Sequence, residues 1–165
     1  MAFATAYQSE VSLPYGVAVQ ILTPLAPLVA DAPSWVSDEL SRLLPQLSAT
    51  REIRPDEPTG DVRLREAIHF LVEAVAGEHD LVIVVDDAHW IDPASADLLA
   101  FLRRRMLGAV CLALATHNTE ALRPELQDIV DGAETVRLQP LRAVDLEAEH
   151  PGLDLEEIVG ITGGI

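Results

Sequence analysis

The chain has 165 residues, 49% of them hydrophobic, a length that suits one domain with a buried core. It carries 27 acidic and 11 basic residues, which gives a formal net charge of −16 at pH 7. Because contacts to phosphate backbones and anionic lipids need clustered cations, we expect neither direct nucleic-acid binding nor membrane binding.

The basic residues and the cysteine further limit the kinds of site that the chain can form. Every basic residue is arginine, so the chain contains no lysine. Its single cysteine, Cys111, lies in the apolar run AVCLALA, where a buried thiol that acts as a small hydrophobic side chain is expected. No apolar run reaches the ~20 residues of a membrane helix, and the apolar N-terminal stretch lacks a basic start, so a cytoplasmic protein is expected.

The N-terminal part of the chain is predicted to hold a strand and two helices. The uncharged run AFATAY, residues 2–7, is predicted to form the strand. Apolar residues then recur at helical spacing over 15–29, although Pro24 and Pro27 must kink or end that helix. Ser34 is placed to cap the second helix.

A loop and a long helix are predicted next. Residues 49–60 carry charges and prolines and are predicted to form an exposed loop. The helix is predicted over 61–76, with Gly77 as its stop. The apolar stripe that this helix would bury consists of Leu64, Ile68, Leu71, Val72 and Val75.

A continuous apolar run, LVIVV at residues 81–85, follows the long helix. Consecutive apolar residues are typical of a strand that is covered on both faces, as in a parallel sheet between helices. The next helix is predicted to have Asp92 as its N-cap and Pro93 as its first residue. It ends in arginines at 103–105, which are predicted to be solvated, a partner contact being the alternative.

The C-terminal part of the chain is predicted to continue this alternation. The run AVCLALA, residues 109–115, is a second continuous apolar strand, a helix is predicted over 120–130, and Glu134–Leu138 alternates like a further strand. The order strand, helix, strand, helix, strand predicts an α/β fold with a mainly parallel sheet flanked by helices.

Two acids, Asp86 and Asp87, directly follow the strand at 81–85. In an open parallel sheet, ligands bind beyond the carboxyl ends of the strands. Acids at that position are the Walker B pattern of nucleoside triphosphatases, in which the first acid holds Mg²⁺ and the next position orients the attacking water. A simple turn and helix cap would place the same acids there, so the pair alone leaves both interpretations open.

The wider string DDAHWIDPAS, residues 86–95, is similar to a signature of the AAA-related signal-transduction ATPases of the STAND type. Such modules occur in bacterial transcriptional regulators of the LuxR-like and SARP (AfsR-like) types. Shorter stretches resemble further motifs of that family in the same order: LPYG at 13–16, LAT at 114–116, LQPL at 138–141 and TGG at 162–164.

The resemblance implies a site for ATP and Mg²⁺. In this site Asp86 would hold Mg²⁺ and Asp87 would polarise the attacking water. Thr116 or Asn118 would sense the γ-phosphate, and His89 would touch the nucleotide. Packing of His89 and Trp90 against the following helix is the alternative.

The sequence also departs from the family in ways that bear on activity. The phosphate-binding loop G-x-x-x-x-G-K-[ST] is absent, and without lysine it cannot occur at a variant spacing. Asn118 stands where an arginine is usual. The resemblance therefore implies an incomplete P-loop NTPase core over 1–141 that begins at the family's second strand, followed by a truncated helical extension over 142–165.

Two functions from different classes follow. In the first, the chain is the ATP-binding switch of a transcriptional regulator, with little or no ATP hydrolysis and no ATP binding at micromolar affinity in isolation. In the second, it is a non-catalytic fragment or interaction module that self-associates, or pairs with a full-length relative, through an exposed sheet edge. In the family's strand order 5-1-4-3-2, strand 1 lies between strand 4, here residues 109–115, and strand 5, here Glu134–Leu138. This order supports the second function, because without strand 1 the edge of strand 4 is open. Either strands 4 and 5 then pair directly, or the chain is only marginally stable.

Overall fold

A computed structural model describes residues 1–28, 32–47, 60–105, 110–116, 122–146 and 153–162. The chain divides into two compact units, Met1–Gly132 and Ala133–Ile165. In its described part, the first unit contains β1 Ala2–Thr5, α1 Gly16–Leu22, α2 Ser34–Leu40, α3 Gly60–Glu78, β2 Leu81–Asp86, α4 Pro93–Arg105, β3 Val110–Leu114 and α5 Pro124–Asp131. The second unit contains α6 Ala143–Leu146 and α7 Leu155–Thr162.

The strands form one parallel sheet in the order β1-β2-β3. β2 is central, and its Val85 lies opposite Ala4 of β1 on one side and Leu114 of β3 on the other. Parallel neighbours need long crossover connections, which α1 to α3 provide between β1 and β2, and α4 between β2 and β3. The predicted α/β fold, a parallel sheet flanked by helices, is confirmed.

The long helix α3 buries the stripe that its sequence predicts. Each of the five predicted stripe residues is 3% exposed or less: Leu64, Ile68, Leu71, Val72 and Val75. The helix ends later than predicted, since Gly77 lies inside α3 and the His79 N–H still donates to the Val75 carbonyl at 2.9 Å. Packing of the stripe holds the last turn in helical form, and this tertiary contribution outweighs the low helix propensity of one glycine.

The observed ends of helices α1 and α2 agree only in part with those predicted from the sequence. As predicted, α1 ends before Pro24, and the chain continues as a short 3₁₀ turn at Ala26–Leu28. The predicted cap by Ser34 is wrong, because α2 begins at this residue and Pro33 occupies the N-cap position. Of the predicted loop at 49–60, residues 49–59 lie outside the described residues.

The central strand β2 is covered more completely than its neighbour β3. Leu81, Ile83 and Val85 are buried, and the alternate residues of β2 are half-buried. On β3 the alternate residues are exposed, and they include Cys111. The prediction of a buried cysteine is therefore wrong. Cys111 and Ala113, which share one face of β3, therefore lack the cover that the apolar run predicts.

The predicted strand at Glu134–Leu138 is also wrong. Residues 134–142 carry no regular secondary structure, and Val136 and Leu138 are 75% and 86% exposed. An alternating sequence becomes a strand only where a neighbouring strand accepts its hydrogen bonds, and among the described residues β3 pairs with β2 alone. Residues 134–138 therefore do not supply the fifth strand that the predicted direct pairing needs. The predicted division after residue 141 stays a prediction.

The second unit is held locally by polar contacts. Arg142 donates to Asp145 through its backbone N–H at 2.9 Å and through its guanidinium at 2.9 and 3.0 Å. These hydrogen bonds lower the pKa of Asp145 to about 2. Among the described helices of both units, none is long and apolar enough to cross a membrane.

Candidate functional site

The acid pair lies at the carboxyl end of the central strand, where the sequence predicts it. Asp86 is the last residue of β2, and Asp87 begins the next turn with a left-handed φ of 50°. Aspartate tolerates this conformation better than most residues because its short side chain can bond locally. The Asp87 N–H donates to Asp86 Oδ1 at 2.9 Å, so the first carboxylate helps to hold the turn.

The turn after the acid pair is tied to the end of β3. The Ala88 N–H donates to the Ala115 carbonyl at 2.9 Å, and the Ala115 N–H donates to the Val85 carbonyl at 2.8 Å. Beside these bonds, Thr116 Oγ1 lies 3.1 Å from His89 Nδ1. The fold thus brings Asp86, Asp87, His89 and Thr116 to one edge of the sheet, whereas Asn118 lies outside the described residues.

His89 forms part of the wall of this site. The residue is 6% exposed, and its ring centroid lies 4.9 Å from that of the half-buried Trp90. Trp90 in turn packs against the hydrophobic core. Burial of this ring pair favours a packing role for both side chains, while the contact with Thr116 keeps His89 connected to the end of β3.

Asp92 has a different role from the acid pair, because its carboxylate caps two helices. As predicted it caps α4, with Oδ1 accepting from the Ser95 N–H at 2.9 Å. The same carboxylate accepts from the Tyr15 N–H at 2.8 Å and from the Val17 N–H at 3.3 Å, at the start of α1. Ser95 Oγ accepts from the Ala18 N–H at 2.9 Å and completes the cap. These bonds satisfy backbone donors that a helix start leaves without intrahelical partners.

The double cap by Asp92 accounts for two of the motifs in the sequence, because it joins them by hydrogen bonds. The Asp-Pro-x-Ser end of the string at 86–95 supplies the acceptors, and the LPYG string at 13–16 supplies the first donor, at Tyr15. Tyr15 adopts a left-handed φ of 63°, an uncommon conformation for an aromatic residue that the bond to Asp92 helps to hold. Burial, and to a lesser extent Asp61, raises the pKa of the Tyr15 hydroxyl, so it is protonated at neutral pH.

Asp86 can bind a hydrated cation such as Mg²⁺ as its single carboxylate ligand, but it does not belong to a site in which several of the described side chains surround a metal ion. Its side chain is half-buried, Oδ1 accepts from Asp87, and no described residue donates to Oδ2. Mg²⁺ usually keeps several waters and takes one or two carboxylates together with phosphate oxygens. Within the described residues, no group of three or more His, Cys, Asp or Glu side chains could hold a metal ion. Any Mg²⁺ at Asp86 therefore needs water and phosphate as its remaining ligands.

One arginine that the sequence did not single out also reaches this loop. Arg123 Nε donates to the Ile91 carbonyl at 2.7 Å, from the N-cap position of α5. The contact joins residues 32 positions apart in the chain, and no local sequence pattern predicts it. A positive charge therefore lies against the loop that carries the acid pair.

Comparison with known proteins agrees with this architecture. The AAA ATPase domain family matches the chain over residues 1–112, a span that contains β1, β2, the acid pair and α4. Comparison with curated proteins and with solved structures gave no significant match. Because the family match covers more than half of the 165 residues, the chain belongs to the AAA ATPase domain family.

Proposed function

We propose that this chain is the nucleotide-responsive switch module of a bacterial transcriptional regulator of the LuxR-like or SARP type. Bound ATP with Mg²⁺ would bias the module between two states that control the regulator. The observation that carries the proposal is the position of Asp86, at the carboxyl end of the central parallel strand with Oδ2 open to a cation. Membership of the AAA ATPase domain family supports it.

The roles of the side chains follow from their places in the site. Asp86 holds Mg²⁺, which would neutralise charge on the phosphate oxygens. Asp87 polarises water, from a turn that starts directly after the strand. Thr116 or Asn118 senses the γ-phosphate, and the contact between Thr116 and His89 links that sensor to the turn.

Nucleotide binding by these 165 residues alone is expected to be weak. The chain has no lysine, so it contains no phosphate-binding loop of the Walker A type. Its net charge of −16 also repels a polyphosphate at long range. Phosphate contacts must therefore come from groups other than a Walker A lysine. The proposal places the protein in the cytoplasm.

The proposal is tested by titrating the chain with ATP and Mg²⁺ while following backbone amide signals by NMR, with phosphate release measured in parallel. We expect weak, saturable shifts in the millimolar range, largest at residues 86–89 and 115–116, and no phosphate release above the protein-free background. Titration with Mg²⁺ alone is the control for cation effects. Absence of any localised shift contradicts the nucleotide role, and micromolar binding that Asp86→Ala abolishes contradicts the expected weakness.

A second function, an interaction module, is favoured by the edge of β3. In the described residues this strand has a neighbour on one side only, and its sequence VCLAL has no charge or proline to discourage further pairing. Beside it lies an open, mainly apolar groove, lined by Ile83, Leu99, Leu102, Arg103, Val110 and Leu112. We propose that a strand from a second copy, or from a full-length relative, pairs with this edge.

The edge proposal predicts self-association that increases with protein concentration and with salt, because salt screens the repulsion between acidic chains. Ala113→Lys places a charge on the exposed face of β3 and is expected to shift the chain towards the monomer. Gln127→Lys makes the same charge change on the exposed surface of α5 and is expected to leave association unchanged. Light scattering coupled to size exclusion measures the mass, and a wild-type monomer at every concentration and salt contradicts the proposal.

A further inference from the structure

We infer that Arg123 is the phosphate-binding cation of the candidate site, with its guanidinium contacting the polyphosphate of the nucleotide. The inference rests on the nucleotide role proposed above and names the group that would attract the phosphates in a chain without lysine. Its starting point is the hydrogen bond from Arg123 Nε to the Ile91 carbonyl at 2.7 Å.

This hydrogen bond holds the Arg123 guanidinium against the loop that follows the acid pair. Ile91 is fully buried and lies between the turn that carries His89 and the N-cap residue Asp92, so its carbonyl is an anchored acceptor. Arg123 itself is half-buried at the N-cap of α5. A side chain that is already held in place loses less conformational freedom when a ligand binds than a freely rotating arginine does.

The terminal nitrogens of Arg123 are available for a ligand. No described residue forms a hydrogen bond or ion pair with Nη1 or Nη2, since the Nε contact is the only polar side-chain contact of this residue in the described chain. The nearby acid Glu125 makes no ion pair with Arg123, and its buried Oε2 has no hydrogen-bond partner among the described residues. A guanidinium with its planar pair of Nη groups free can bind a phosphate in bidentate fashion.

Other described arginines of the first unit are engaged or lie elsewhere. Arg103 and Arg104 are exposed at the C-terminal end of α4, which returns the chain to the start of β3, and so lie at the opposite edge of the sheet from Asp86. The remaining arginines with acidic partners in this unit are Arg42 and Arg63 with Glu39, Arg65 with Asp97, and Arg105 with Glu66.

Charge balance favours a cation at this edge of the sheet. Asp86 and Asp87 place two carboxylates at the strand end, and a polyphosphate brings further negative charge to the same edge. Unit charges about 4 Å apart near a protein surface interact by several kcal/mol at an effective dielectric of about 20, so the repulsion must be offset locally. Mg²⁺ at Asp86 offsets part of it, and Arg123 supplies a fixed charge that remains when Mg²⁺ is absent.

The test uses the full chain and inorganic tripolyphosphate without Mg²⁺, followed by ATP with Mg²⁺, in NMR titrations that include arginine Nε–Hε signals. The signal of Arg123 is assigned by its loss in Arg123→Gln and Arg123→Lys. We expect tripolyphosphate to shift this signal and the Ile91 amide in a saturable manner. Arg123→Gln should weaken tripolyphosphate affinity about three- to tenfold, as expected for one partly exposed charge-assisted contact, and Arg123→Lys should restore most of it.

Arg104→Gln removes the same charge at the opposite edge and is expected to bind tripolyphosphate like the wild type. Equal losses in Arg123→Gln and Arg123→Lys would show a purely structural tie to Ile91, and an equal loss in Arg104→Gln would show a bulk charge effect; either overturns the inference. Unchanged ATP shifts at Asp86 and Asp87 in Arg123→Gln would overturn it while leaving the nucleotide role intact. No ATP shift at residues 86–89 in the wild type would remove the nucleotide role as well.

Discussion

Replacing Asp92 by alanine is expected to lower the free energy of unfolding by about 3 kcal/mol, because one substitution removes the caps of two helices and leaves buried donors without partners. The carboxylate is 2% exposed and accepts from the backbone N–H groups of Tyr15, Val17 and Ser95. Water cannot replace these acceptors without entering the core. Urea denaturation followed by circular dichroism measures the loss.

Two matched variants separate this effect from a general loss of charge. Asp92→Asn keeps one acceptor oxygen and is expected to cost less than the alanine variant. Asp97→Ala removes an aspartate from the exposed side of the same helix. The Asp97 carboxylate lies 3.8 Å from the Arg65 guanidinium, a long ion-pair distance. This variant is expected to change the free energy of unfolding by less than about 0.5 kcal/mol. Similar urea concentrations at the midpoint of unfolding for Asp92→Ala and Asp97→Ala would show that the double cap does not stabilise the fold.

The parts of the fold that the sequence predicts are those set by local pattern and burial. The apolar stripe of α3 and the continuous run of β2 identify a helix and a strand that are buried much as predicted. The acid pair follows from the same run, since any polar residues directly after a buried parallel strand must emerge at its carboxyl end. Asp86, Asp87, His89 and Thr116 therefore lie at the same edge of the sheet, where their proposed roles stay predictions.

The parts that the sequence does not predict depend on which elements become neighbours. Asp92 bonds to Tyr15 from 77 positions away, and Arg123 bonds to Ile91 from 32 positions away, and neither spacing has a periodic signature. The exposure of Cys111 and the absence of a strand at 134–138 have the same origin. Both segments carry a strand pattern, but burial and pairing require neighbours that the described part of the chain does not place beside them.

The central claim, that Asp86 holds the divalent cation of this site, is tested most directly with Mn²⁺ in the presence of ATP, because Mn²⁺ binds the same hard oxygen ligands as Mg²⁺ and broadens nearby NMR signals. We expect Mn²⁺ to broaden the amide signals of Asp86, Asp87 and Thr116 first, and Asp86→Asn to weaken that binding more than tenfold, since it removes the charged ligand. Asp80→Asn, an exposed acid just before the other end of β2, is the control and should leave the broadening unchanged. Broadening that persists in Asp86→Asn, or that centres on Asp80, would contradict the account.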